Sequence, residues 1–435
     1  MQATPDEPED TAAPWHASEH AALHSALARL DALVDWERRD RSAGMRVDVE
    51  PARDLLARLG DPQRGRPLVH VAGTKGKGST LVWCEAALRV LGRRTALFTS
   101  PHVETVTERL RIDGEPIDGA AFACGLEAAL VARDDAIREG TAAEDASWFD
   151  LVIAGSAAAA HASGAEVWLV EVGLGGRLDS TNAFDSTVAG VTSIELEHTA
   201  VLGDSRPAIA REKAGIARAG RALVVGLEPD DPAGRAIAEV AREVGAQVRW
   251  SPPRGADLDG RNRAVARALL GELEAALGSS GAVAALDALA QAPRLPGRLE
   301  WWRTPAGTRV LLDGAHVPES LALVLAELER ALAPAEPVVA VFSCARDKRR
   351  NELLKVLGQG AETVIGTTLP RHGAGGLDEA DAPAPATALA RALDRAAESG
   401  GAVLVTGSLH LIGPARAHLV SIGAAPCSPS SPTSS

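Results

Sequence analysis

The segment 70-HVAGTKGKGSTLVW-83 gathers three glycines and two lysines between Gly73 and Thr80. Residues of these types can hold phosphate. Gly73, Gly76 and Gly78 would let backbone N–H groups close around phosphate oxygens, Lys77 would neutralise the terminal phosphates, and a following helix would add its dipole. The spacing departs from the common phosphate-loop pattern GxxxxGK[ST], because Val71 stands at its first glycine and Gly78 at its hydroxyl position. The hydroxyl that holds magnesium beside the lysine is therefore missing. Either Ser79 or Thr80 supplies it, or the metal is held from elsewhere in the chain.

Three other stretches offer hard oxygen or imidazole groups where predicted strands end, the region where ligands of open α/β sheets collect. They are Ser100 in 98-FTSPH-102, Glu171 in 171-EVGLGGRLDSTN-182, and Glu195, Glu197 and His198 in 193-SIELEHTAVLG-203. Each also has a plain structural reading: Ser100 as a helix cap, Glu171 as an ion-pair partner, His198 as a satisfied core histidine. A carboxylate buried at a strand end needs a cation, either a metal or an arginine. Magnesium asks little of the protein, since substrate phosphates and waters complete its octahedron.

The elements that must position these groups alternate between apolar, β-rich runs and Ala/Leu-rich helical patterns. Segments 67–72, 95–99, 166–172 and 187–194 read as strands buried on both faces of a parallel sheet. After the loop, Leu81, Val82, Cys84, Leu88 and Leu91 fit one helical face ending at Gly92. Segments 309–313, 338–343, 362–367 and 402–408, with a helical pattern at 319–332, form a second α/β unit. The Pro/Gly-bearing stretch 291–300 is the natural boundary, giving domains at 21–292 and 293–424. Residues 1–20 and 425–435 are Pro-, Ser- and acid-rich and are expected to be disordered.

Composition narrows the function classes. Hydrophobic residues at 46% and charged residues at 24% are those of a folded, water-soluble protein. A net charge of -13 argues against a nucleic-acid surface, where affinity comes from Lys and Arg neutralising phosphates. The four cysteines are widely separated, with no zinc spacing, and no apolar run reaches membrane-spanning length. The N-terminal segment has no signal-peptide pattern, so a cytoplasmic protein is expected, acting on small molecules, with no nucleic acid or membrane partner.

The motifs HVAGTKGKGST, TSPH…ERLRIDGEPI, EVGLGGRLDSTN, EHTAVLGDS…AREKAGI, LPGRLE, DGAHVPES and TGSLHLIG, in this order, resemble those of folylpolyglutamate synthase/dihydrofolate synthase of the Mur ligase superfamily. The resemblance covers residues 45–413. It implies an α/β protein of two domains: a Mur-ligase-like P-loop ATPase domain with a parallel central sheet, and a smaller Rossmann-like C-terminal domain. It implies a monomeric ATP-dependent ligase adding L-glutamate to a folate or to dihydropteroate through an acyl phosphate. Gly73, Thr74, Lys75, Gly76, Lys77, Gly78, Ser79 and Thr80, with Arg298 and Asp313, would bind ATP. Ser100, Glu171 and His198 would hold Mg2+, Lys77, Lys213 and His316 would be catalytic, and Asp179 and Ser180 would meet the pterin substrate. Lys213, otherwise read as a solvated helix lysine, matches a lysine that such enzymes carbamylate.

The chain also departs from the pattern it resembles. Lys75 stands where the loop usually has Asn, Val317 where DGAHNP has Asn, Glu195 and Glu197 where GLDH has Gly and Asp, and Asp150 where Glu is usual. Catalysis is expected to survive these changes, with altered selectivity between pteroate and polyglutamate substrates. Two rival readings are another Mur-type amino-acid ligase and a non-catalytic nucleotide-binding relic. A relic has no reason to keep Lys77, Glu171 and His198 together.

Overall fold

The computed structural model describes residues 21–35, 48–253, 257–290, 294–345, 348–369 and 384–428. The first sheet contains β1 (Leu68–Ala72), β2 (Thr95–Phe98), β3 (Leu110–Ile112), β4 (Glu115–Pro116), β5 (Val167–Glu171), β6 (Val188–Val191), β7 (Ala222–Val225) and β8 (Gln247–Trp250). Their order is β4-β3-β2-β5-β1-β6-β7-β8. All pairs from β2 to β8 are parallel, while β3 and β4 add an antiparallel edge. Every residue of β1, β2, β5 and β6 is buried, as expected of parallel strands covered on both faces.

The second sheet holds β9 (Glu300–Arg303), β10 (Arg309–Leu312), β11 (Val338–Phe342), β12 (Thr363–Gly366), β13 (Ala402–Thr406) and β14 (Ala425–Pro426), in the order β12-β11-β13-β10-β9-β14. Strands β10 to β13 are parallel, and β9 and β14 pair antiparallel at one edge. Ala425 and Pro426 therefore belong to the fold, although the composition of 425–435 reads as a disordered tail. Ala425 is opposite Arg303, Pro426 is opposite Trp302, and Cys427 N–H donates to Trp301 O at 2.8 Å. A proline is tolerated because β14 is an edge strand. Residues 1–20, 429–435 and the boundary residues 291–293 lie outside the described residues.

β1 is flanked by β5 on one side and β6 on the other, so the loops leaving their carboxyl ends converge around the loop that follows β1. That loop opens the helix Lys77–Val90, which packs Leu81, Val82, Cys84 and Leu88 into the core shared with β1 and β5. The second sheet approaches the same ends. Its helix Leu409–Ser421 brings Arg416 to Glu104 of the 99–109 loop at 3.0 Å, and the same guanidinium is paired with Glu300 and stacked on Trp302.

Candidate active site

The loop after β1 is held by its own backbone and by β6. Thr74 N–H donates to Ser193 O at 2.8 Å, Lys75 N–H to Ser193 Oγ at 3.0 Å, and Thr192 Oγ1–H to Lys75 O at 2.6 Å. Gly76, at φ 83°, is the left-handed N-cap that lets the chain turn into the helix at Lys77. Gly73 has φ 150°, and a Cβ there would lie 1.9 Å from Thr192 Oγ1. Thr192 and Ser193 are thus part of the site. Their residue types carry no signal, and only the pairing of β6 with β1 reveals them.

Beside the loop lies an open cleft of about 380 Å³ lined by Gly78, Ser100, Glu108, Glu171, Leu295 and Arg298, among others. Ser100 and Glu171 come together here, because β2 and β5 are neighbours: Ser100 N–H donates to Glu171 Oε2 at 3.2 Å. The other oxygen, Oε1, is 3.6 Å from Lys77 Nζ. A Cβ on Gly78 would lie 3.1 Å from Glu171 Oε2 and 2.8 Å from Leu295 Cδ1, so a larger residue would fill the space in front of the carboxylate. Among the described residues no group of three or more His, Cys, Asp or Glu side chains forms a cage for a metal. A hydroxyl and one carboxylate facing a phosphate loop nevertheless fit magnesium, which takes most of its ligands from phosphate and water. His198 is found beside Glu197, its Nε2 3.9 Å from Glu197 Oε1, with its backbone at φ 54°.

On the other flank of the loop, groups from both sheets meet. Lys75 Nζ lies 3.3 Å from Glu197 Oε1 and 3.2 Å from His316 Nε2. His316 Nδ1 is 2.8 Å from Gly314 O, and since a carbonyl only accepts, Nδ1 carries the proton. Glu197 Oε1, 2.6 Å from Nε2, would favour an imidazolium. Burial and the Lys75 ammonium lower the His316 pKa to about 4 against the opposing pull of Glu197, and the ammonium lies within reach of both Nε2 and the carboxylate. Burial raises the Glu197 pKa, but the cation Lys75 and the His316 contact together hold its carboxyl well below the usual range. Asp313 accepts from Leu299 N–H at 2.8 Å and Ala315 N–H at 2.9 Å, tying the Arg298 turn to the His316 turn.

Lys213 is buried, contrary to the solvated helix lysine that its local sequence suggests. Its Nζ donates to Gly73 O at 3.0 Å. Burial, then the nearby Lys77 charge, bring its pKa down to about 7. The helix Arg206–Ala214 that carries it packs on the glycine turn after β5: a Cβ on Gly176 would lie 2.8 Å from Lys213 O and 2.9 Å from Glu212 O. Backbone cannot yield as a side chain can. Gly176→Ala is expected to cost about 1–3 kcal/mol by overpacking, read from the midpoint of chemical denaturation, and to lower activity by displacing Lys213.

Asp179 caps the short helix Ser180–Ala183 and closes the same turn, accepting from Leu174 N–H at 2.7 Å and from Thr181 N–H and hydroxyl. Thr181 Oγ1 in turn accepts from buried His70 Nε2 at 2.9 Å, with burial holding that ring neutral at about 3. Ser180 Oγ–H donates to Asp150 Oδ1 at 2.6 Å, while Asp150 Oδ2 accepts from Ser147 N–H and hydroxyl. Asp179 and Ser180 are thus placed in a network that shapes the turn beyond Glu171. Val317 is buried at the N-cap of the helix Pro318–Ala331, where it offers no side-chain cap.

Residues 297–409 match the family described as Mur ligase, glutamate ligase domain. Over 413 residues the chain is 32% identical to the probable bifunctional folylpolyglutamate synthase/dihydropteroate synthase of Haloferax volcanii, covering 85% of this chain and 48% of that protein. E. coli FolC in complex with DHPP and ADP is similar with a TM-score of 0.77 and 29% identity, over 93% of this chain and 98% of that one. A bifunctional folylpolyglutamate synthase/dihydrofolate synthase with Mn, AMPPNP and L-glutamate bound gives a TM-score of 0.77 and 28% identity, over 92% and 98% of the two chains. The chain spans about half the length of the curated relatives it matches. Two α/β units meeting at a GTxGK loop give the chain a Mur-ligase-like fold, with the glutamate ligase domain matched in its second unit. Within that class the chain is similar to proteins named folylpolyglutamate synthase/dihydrofolate synthase.

Proposed function

We propose that the chain is an ATP-dependent ligase that joins L-glutamate to a folate, to dihydropteroate, or to both. The observation that carries this reading is the cleft lined by Gly78, Ser100, Glu171 and Arg298 at the joined ends of β1, β2 and β5, with Lys77 Nζ 3.6 Å from Glu171. The relatives bind fitting ligands: ADP and DHPP in the E. coli protein, and AMPPNP, Mn and L-glutamate in the second structure. The substrate carboxylate would attack the γ-phosphate of ATP, breaking the bond to ADP and forming an acyl phosphate. The glutamate amine would then attack the acyl carbon, with phosphate leaving and one proton released. Such transfers rest on positioning and charge neutralisation, which Lys77 and Arg298 supply. Magnesium held by Ser100 and Glu171, with His198 as a further ligand, would add its charge at the phosphates.

Lys213 fits the carbamate assignment on chemical grounds. With its pKa about 7, a large share of the amine is neutral at physiological pH and can add to CO2, releasing a proton. The resulting anion would lie within the field of Lys77 and Lys75, which stabilises it. The turn near Asp179 and Ser180 is our assignment for the pterin end, with selectivity set in part by the Asp150–Ser180 contact. We take the single chain as the working unit, since both flanks of the site come from one polypeptide. Among the described residues no helix is long and apolar enough to cross a membrane, consistent with the cytoplasmic location we assign.

The test is a substrate panel with mass detection of products, comparing dihydropteroate with tetrahydrofolate and its mono- and diglutamates. ADP release with a mass gain of one glutamyl unit on at least one acceptor is expected. No ADP release with any acceptor plus glutamate would remove the reading.

A further inference from the structure

Lys75 is the loop residue that phosphate binding leaves unexplained. Its ammonium is already engaged by Glu197 of the first unit and His316 of the second. Its backbone is tied to the end of β6 through Thr192 and Ser193, the residues that lead into 194–198. Other groups of the second unit end on the same segment. Ser320 Oγ–H donates to Glu195 Oε2 at 3.3 Å, and Lys348 Nζ lies 4.0 Å from Glu197 Oε1. The two glutamates thus receive His316, Ser320 and Lys348 from the second unit, with Lys75 as the counter-charge on their own side.

We propose that Lys75 is a positioning residue rather than a phosphate ligand: through Glu197 it fixes His316 and registers the second unit against the nucleotide loop. The Glu197 side chain is only 9% exposed. A carboxylate so placed needs the Lys75 cation, because a buried charge that loses its partner is strongly destabilising. Without Lys75 the carboxylate keeps only the His316 contact and the more distant Lys348 to offset its burial, and the contact between the units should open. A phosphate oxygen recruited to Lys75 would break this bridge between the units, whereas Arg298 lines the cleft and Lys77 is paired only with Glu171 of its own unit. The kinetic consequence rests on the ligase reading, but the binding and shape consequences do not.

The test uses the full chain with Lys75→Met, Glu197→Gln, their double variant and Lys75→Arg. Affinities for ADP and a non-hydrolysable ATP analogue are measured by calorimetry, the radius of gyration by small-angle scattering, and kcat and KM with the acceptor found in the substrate panel. Lys75→Met is expected to change nucleotide Kd less than about threefold while enlarging the radius of gyration and lowering kcat about tenfold or more. Lys75→Arg should restore the compact shape and most of kcat. The double variant should be no worse than the poorer single one, since both remove one shared contact. Should Lys75→Met not fold, Glu197→Gln carries the test, with an opened shape and retained nucleotide affinity expected. A tenfold loss of nucleotide affinity with unchanged shape, or effects of the two substitutions that add in full, would overturn the proposal. If the wild type ligates no acceptor, the ligase reading fails, while affinity and shape still decide the role of Lys75.

Discussion

Glu171→Gln is expected to abolish ADP formation, by about 10²–10³-fold, while leaving nucleotide bound. The magnitude is that of losing one fixed charge contact to a transition state. Glu171 closes β5, is buried, and spends one oxygen on Ser100 N–H and the other on the approach of Lys77. Glutamine preserves size and removes charge. Its amide group would oppose either the Ser100 N–H or the Lys77 ammonium, donor against donor, and the oxygen offered to magnesium would become a weak ligand. Lys77, released from its anion, still faces phosphate, so the affinity for ADP should hold within a few-fold. A coupled assay for ADP release and a separate ADP titration read the two quantities. Unchanged turnover would remove Glu171 from the metal site.

The second large effect is expected at Lys213. Lys213→Met should lower turnover by about 10²-fold or more, the loss of an anion that steadies charge beside the phosphates. In the wild type, activity should depend on dissolved CO2 and rise with pH through about 7, where the buried amine loses its proton. A labelled carbamate carbon should appear by NMR when the protein is supplied with labelled bicarbonate. No carbamate signal together with no CO2 dependence would leave Lys213 as a plain structural amine.

Stability gives an independent reading of the same residue. The amine titrates at about 7 in the fold and at its ordinary 10.5 when unfolded, so the unfolded chain binds more protons between those values. The cost of burying Lys213 is therefore full below pH 7 and is relieved as pH rises toward 10.5. Lys213→Met, which removes the charge, should raise the melting temperature over wild type more at pH 6 than at pH 9. Equal shifts at both values would contradict a buried amine.

Much of this site is legible in the chain itself. The strands at 68–72, 95–98, 167–171 and 188–191, and the helix from Lys77, follow from near-continuous apolar runs and from glycines placed between strand and helix. Lys77, Ser100 and Glu171 can be picked out because each sits at the end of such a strand or in the loop it feeds. The edge strand β14 is not legible, since Ala425 and Pro426 have no strand pattern and pair only because β9 offers an open edge.

What the sequence determined by itself is therefore the central strands β1, β2, β5, β6 and β10 to β13, their order along the chain and the candidate phosphate loop, all consequences of spacing between near neighbours. The tertiary structure alone decided the state of each charge. Lys75 meets Glu197 at 122 positions' distance and His316 at 241, and Lys213 meets Gly73 at 140. Whether a lysine is solvated, bridged or nearly neutral depends on the desolvation and the counter-charges that distant segments bring to it. Local pattern does not contain that information, which is why Lys75 and Lys77, two residues apart in one glycine loop, have different partners, and Lys213 is buried where its sequence suggests a solvated helix lysine.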